Sequence, residues 1–245
     1  HFEWTLQLEP IDELAEIKKL LISNKLLFLS GLRKDNFFKK YLKNCNVEID
    51  LSIAFKSNFS EKDIIIYVPS RQIFPNNPLF VKSILDKCKK LILLKNGLTV
   101  ILSNDANMKL ILATGLASKY GQRVLLEAIP KDTNQILCSS FDWWIRHSEL
   151  IKIPEQIIIP LLPIPSVTEP LNEIIISNYK KQSKDWFREF LLPETFENID
   201  RSIAFLRRNS GRLIILDPRI KHRQWGSEIL HMIQPAKIVD YIFPY

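Results

Sequence analysis

The sequence predicts a doubly wound α/β fold, a mainly parallel sheet with helices on both faces. Two observations predict it. Runs of strand length are continuously apolar instead of alternating, as strands buried on both faces are. Amphipathic segments of helix length separate these runs, and strand–helix alternation is the pattern of β–α–β units.

The elements follow in order. Pro10 punctuates the start, and residues 11–23 read as an amphipathic helix. Leu-Leu-Phe-Leu-Ser at 26–30 is the first strand, followed by a helix at 34–44. Ile-Ile-Ile-Tyr-Val at 64–68 is the second strand, and the prolines from Pro75 to Pro78 precede a helix at 78–95. Leu-Thr-Val-Ile-Leu at 98–102 runs into Ser103, Asn104 and Asp105, which are N-cap residue types, and then into a helix at 105–120. Strands at 123–127 and 135–139 lead to a helix at 141–147. Gln-Ile-Ile-Ile-Pro at 156–160 is a buried strand with a stiff exit, because the prolines from Pro163 to Pro170 fix φ. Helices at 170–190 and 194–208 precede a strand at 212–217, and a helix at 224–233 follows. No internal repeat or low-complexity tract interrupts the series, so residues 1–245 read as one domain, with 1–25 as a lead-in segment and 26–245 as the core.

Composition narrows the function. With 46% hydrophobic and 25% charged residues the chain is an ordinary globular protein, long enough to bury a core without staples. Cys45, Cys88 and Cys138 are dispersed and form no CxxC pair, which argues against a zinc site, an iron–sulfur cluster or a disulfide framework. That usage suits a reducing compartment, and a cytoplasmic location is the expectation. The longest apolar stretch, at 157–167, is broken by three prolines and is too short to span a bilayer, so no membrane partner is expected. The chain begins at His1 and is expected to be a piece of a longer protein. A net charge of +7 fits a nucleic-acid partner, since Lys and Arg that neutralise phosphates release counterions. It also fits a Lys- and Asn-rich composition with no nucleic acid to bind.

Three places carry candidate chemistry, each with a plainer reading beside it. Ser103 and Asn104 end a strand where ligands bind in open α/β sheets, so they could meet phosphate; a plain N-cap explains them too. Trp143 and Trp144, beside Arg146 and His147, could stack on bases; equally, one of two adjacent tryptophans anchors its helix to the sheet. Arg201, Arg207, Arg208, Arg212, Arg219, Lys221 and Arg223 form the densest basic cluster, either a phosphate groove or a solvated face. No Ser-His-Asp or Cys-His set is spaced for nucleophilic catalysis, and no metal motif is present. None of the glycines begins GxxxxGK[ST], so the chain has no P-loop.

Taken in order, these segments resemble one family. Trp4 to Pro10 with Ile11-Asp12, the run Leu27-Phe28-Leu29-Ser30-Gly31-Leu32, and Leu98 to Ser103 are similar to successive motifs of the DinG/XPD-type DNA helicases. So are Ser140-Phe141, Leu162-Pro163-Ile164-Pro165-Ser166 with Pro170, Leu192-Pro193-Glu194, Arg201 to Arg208, and Gly211 to Arg219. The resemblance covers nearly the whole chain and implies a RecA-like domain, the second motor domain of such a helicase. It implies single-stranded DNA as a partner, contacted by Ser30, Ser103, Asn104, Ser140 and Arg201. It also implies ATP and Mg²⁺, held only together with the N-terminal motor domain, with Arg207 and Arg208 reaching the γ-phosphate as arginine fingers do.

The chain departs from the family where chemistry is done. Asp142-Trp143-Trp144-Ile145-Arg146 stands where the family has Trp-Glu-Gly-x-Asp, so both acidic positions are lost. In the final helix the family's Gln falls on Arg201, its Gly on Ala204 and its first Arg on Phe205, and only Arg208 matches. An alternative is therefore a helicase-derived module that binds nucleic acid or a partner without ATPase activity. A third reading, an unrelated nucleotide- or sugar-binding domain, predicts a closed small-molecule pocket.

Overall fold

A computed structural model describes Ile53 and residues 64–240. The expected elements at 11–23, 26–30 and 34–44, and Ser30 with them, lie outside the described residues. The elements are β1 (Ile64–Tyr67), α1 (Phe80–Leu93), β2 (Thr99–Leu102), α2 (Ala106–Tyr120), β3 (Val124–Leu126), β4 (Ile136–Ser139), α3 (Phe141–His147), β5 (Gln156–Ile159), α4 (Pro170–Lys181), α5 (Leu192–Ile203), β6 (Arg212–Ile215), α6 (Arg219–His222), α7 (Gln224–Met232) and β7 (Ala236–Val239). Among the described residues the strands form one parallel sheet in the order β3-β4-β2-β5-β6-β1-β7. The doubly wound α/β expectation holds.

The described residues divide between two compact units. The larger, 64–164 with 194–240, contains the whole sheet. Strands β2, β4, β5 and β6 are buried at every position, so both of their faces are covered, which is why they read as apolar runs with a polar residue only at one end. On one face Ile101, Ile136, Cys138, Ile158 and Ile214 pack with Ile84, Cys88 and Leu91 of α1 and with Met108, Leu112 and Leu116 of α2. The two helices approach closely at Gly115, where an added Cβ would lie 2.6 Å from Cδ2 of Leu85. On the other face Val100, Leu137, Ile157, Leu213 and Ile215 are fully buried. Phe141 and Trp144 of α3 and Ile199 and Ile203 of α5 are buried as well. The Trp144 indole Nε1–H donates to the carbonyl of Ser202 at 2.9 Å and ties the two helices together.

At the N-terminal ends of the central strands a polar chain is buried. Arg212 Nη2 donates to Gln156 Oε1 at 2.9 Å, and Gln156 Nε2 donates to Thr99 Oγ1 at 2.8 Å. These bonds satisfy groups that would otherwise cost desolvation energy at the edge of the core. They lie at the sheet edge opposite the one where ligands bind in such folds.

The smaller unit, Pro165–Pro193, contains α4 and a π-helical turn at Phe187–Leu191. The expected helix at 170–190 is interrupted: α4 ends at Lys181, and Ser183 adopts φ +54°, outside helical space. Asp185 then restarts the chain, its Oδ1 accepting from the N–H groups of Phe187 and Arg188 at 3.1 Å. The helix expected at 194–208 also divides. α5 ends at Ile203, and Arg207 and Arg208 belong to a separate 3₁₀ turn, Leu206–Asn209.

Among the described residues no helix is long and apolar enough to cross a membrane. Cys88 and Cys138 are buried against the sheet, and burial raises both thiols, that of Cys138 to about 12. Because the thiolate is the reactive species, a thiol reagent at pH 8 is expected to spare both cysteines in the native protein and to modify them at denaturing urea concentrations. Mass-spectrometric mapping of the modified cysteines checks this.

Candidate nucleic-acid interface

The candidate residues of the sheet meet at the C-terminal ends of β2, β3 and β4. From β2 the chain crosses past β4 to β3, and from β4 it crosses past β2 to β5. Right-handed crossovers in opposite directions pass over opposite faces, so α2 and α3 leave these adjacent strands on different sides. The crevice between such strands is the topological switch point, where ligands of doubly wound folds bind. Residues 103–105, Glu127 and Ser139–Ser140 are the strand exits around it.

Side chains cross-link these exits. Ser103 is buried, its N–H donating to the Ser139 carbonyl at 3.0 Å as the last bond of the β2–β4 ladder. Asn104 is exposed, and its Oδ1 accepts from the Phe141 N–H at 3.1 Å. Asp105 caps α2 through Met108 N–H at 2.8 Å, and Ser140 caps α3 through Trp143 N–H at 3.3 Å. The capping reading of the Ser103-Asn104-Asp105 turn is thus present, and Asn104 goes further by capping the neighbouring loop.

Two residues here escaped the sequence reading. Glu127 directly follows β3 with φ +46°, and its Oε1 accepts from Ser140 N–H at 3.0 Å, Ser140 Oγ at 2.8 Å and Lys109 Nζ at 2.5 Å. Burial pushes the Glu127 carboxyl up, but the Lys109 ammonium and the two Ser140 donors outweigh it and hold the group below the usual carboxylate range. An acid at the C-terminal end of a predicted strand was the available signal. Lys109 carried none, because a lysine four residues after a helix cap is commonplace.

The arginines sit elsewhere and differ among themselves. Arg201 is exposed on α5 and pairs with Glu197 at 3.1 Å, an i,i+4 surface bridge worth little. Arg207 is buried, its guanidinium donating to the Pro235 carbonyl at 3.0 Å and to the Ile233 carbonyl. Arg208 is exposed, its guanidinium 4.2 Å from the ring centroid of Phe205. Of the tandem tryptophans, Trp144 is fully buried and Trp143 half-buried, stacked on His147 with ring centroids 4.3 Å apart. The anchoring reading holds for Trp144.

Asp217, at the exit of β6, is fully buried. It accepts from Leu162 N–H at 2.9 Å and from Arg219 through its N–H at 2.9 Å, Nε at 3.0 Å and Nη2 at 2.6 Å. The Leu162-Pro163 loop and the Leu216-Asp217-Pro218-Arg219 turn, both quoted for the family resemblance, are therefore one assembly. Among the described residues no group of His, Cys, Asp and Glu is placed to hold a metal ion. The grooves along α4 in the smaller unit, about 410 and 400 Å³, are open and lack the enclosure of a small-molecule pocket.

No protein-family model matches the sequence, and no curated protein matches it. Among solved structures the fold is similar to that of Xpd4 from S. tokodaii, with a TM-score of 0.51 at 15% identity. The match covers 96% of this chain and 60% of that one, so the chain spans less than two thirds of that structure's length. The likeness is one of fold: the parallel sheet has a RecA-like α/β arrangement.

Proposed function

We propose that the chain is the second RecA-like motor domain of a DinG/XPD-type ATP-dependent DNA helicase. In this reading it forms part of the groove for single-stranded DNA and one wall of the ATP cleft. The observation that carries the reading is the convergence of Ser103, Asn104 and Ser140 on one switch-point edge, in a fold like that of Xpd4. Hydroxyls, amides and an ammonium at strand exits are donors suited to a phosphate backbone. ATP and Mg²⁺ would be held with the N-terminal motor domain of the same protein, and Arg208, the exposed residue of the pair, is the better candidate to meet the γ-phosphate.

A second reading, a helicase-derived binding module without ATPase activity, draws on Arg207. Its guanidinium is engaged by the carbonyls of Ile233 and Pro235, so only one arginine of the tandem pair projects outward. DNA-stimulated ATPase of the full-length protein separates the two. The motor reading expects stimulation and a loss of about 10³-fold in Arg208→Ala, the scale of an arginine finger. Absence of stimulation in the parent protein supports the module. The 245-residue chain alone is expected to bind oligo(dT) in a salt-dependent way and to hydrolyse no ATP; measurable hydrolysis by it contradicts the assigned split of the ATP site.

A further inference from the structure

We propose that Glu127 is a built-in anion that occupies the Ser140–Lys109 donor cluster, so that a nucleic-acid phosphate must displace it to bind there. The inference rests on the nucleic-acid reading above and assigns that site its own competitor.

The geometry is that of an occupied oxyanion site. One oxygen, Glu127 Oε1, takes an amide N–H, a hydroxyl and an ammonium, the donor set a phosphate oxygen uses. The site opens to solvent, since the Glu127 side chain is 32% exposed and that of Lys109 17%. The ion pair also cancels the one ammonium in the cluster, which lowers its attraction for a polyanion. Glu127 sits at φ +46°, a conformation natural to glycine, and its side chain reaches all three donors.

The carboxylate is not needed to hold the neighbouring caps. Phe141 N–H is taken by Asn104, and Trp143 N–H by Ser140 Oγ. Removing Glu127 therefore frees Ser140 and Lys109 without undoing the start of α3.

The test is fluorescence anisotropy of a labelled oligo(dT) titrated with the 245-residue chain over a salt series. Glu127→Gln removes the charge and keeps the shape; Glu127→Gly removes the side chain and relieves the backbone. Both are expected to bind about tenfold more tightly than the parent at low salt, because a like charge beside the phosphate is gone. The salt slope is expected to steepen by about one counterion as Lys109 becomes available. Adding Lys109→Ala to Glu127→Gln should return the affinity to the parental level or below. If the parent binds and both folded variants bind no more tightly, the competitor role is overturned while the nucleic-acid reading stands. If no protein in the set binds at low salt, the nucleic-acid reading falls and the inference with it. Circular dichroism of each variant identifies any that has failed to fold, and the other variant then decides.

Discussion

Trp144→Ala is expected to destabilise the protein by about 3–5 kcal/mol, enough to unfold a domain of ordinary stability at moderate temperature. The side chain is fully buried in the layer beneath α3. Its removal leaves a cavity the size of an indole, which a close-packed core can fill only in part. It also removes the donor that the Ser202 carbonyl receives across α3 and α5. Trp144→Phe keeps most of the volume and loses the hydrogen bond, so an intermediate cost of about 1–3 kcal/mol is expected. Trp143→Ala should cost under about 1 kcal/mol, because that ring is half-buried and stacks on His147 of the same helix. Urea unfolding followed by far-ultraviolet circular dichroism measures all three. Comparable losses for Trp143→Ala and Trp144→Ala would contradict the inward assignment of Trp144. The ordering also bears on function: a variant of Trp144 that fails to bind DNA reports a damaged fold, whereas Trp143, Arg146 and His147 can be changed without that confusion.

Legibility followed burial. Thr99–Leu102, Gln156–Ile159 and Arg212–Ile215 were readable because a strand covered on both faces is apolar beyond its first residue, and few other structures demand that over so short a run. Helix Phe141–His147 matched its expectation residue for residue. Strand β7 was missed because it is an edge strand: Lys237 and Ile238 are exposed, and Ala-Lys-Ile-Val after a proline carries little periodic signal. The break after Lys181 was missed because no glycine or proline marks it; Ser183 enters left-handed space unaided, and only Asp185 hinted at a new cap. At the candidate site the convergence of Asn104 with Phe141 followed from topology, since both lie at exits of adjacent strands. The clamp on Arg207 did not, because its acceptors are carbonyls 26 and 28 residues downstream, and backbone acceptors carry no residue identity.

The remaining large effect is expected at Asp217. Asp217→Ala should cost about 3 kcal/mol, the lower end of the range for a broken buried ion pair, because Arg219 keeps 28% exposure and can rehydrate. The carboxylate gathers donors from Leu162 and Arg219, so its loss orphans the Leu162 N–H inside the core and releases the exit of β5 from the exit of β6. Asp217→Asn should be nearly as damaging. The amide keeps the volume but supplies one acceptor oxygen, and its NH₂ must face either the Leu162 N–H or the Arg219 fork, donor against donor. Arg219→Leu removes the counter-charge of a fully buried carboxylate and is expected to cost a similar amount. The double variant Asp217→Ala/Arg219→Leu should then cost less than the sum of the two, with a coupling of at least about 1 kcal/mol, since neither partner is left to be desolvated alone. Additive losses would mean that the two groups act separately and that the turn is held by packing. A strong coupling has a consequence for the family resemblance. The Leu162-Pro163 loop and the Leu216-Asp217-Pro218-Arg219 turn both carry that resemblance, and the geometry gives both a structural task. A chain can keep that pair for stability whether or not it hydrolyses ATP, so the resemblance at Asp217 and Arg219 is silent on hydrolysis. Under the proposed motor reading, hydrolysis is to be tested at Arg208 and DNA contact at the Ser140–Lys109 edge.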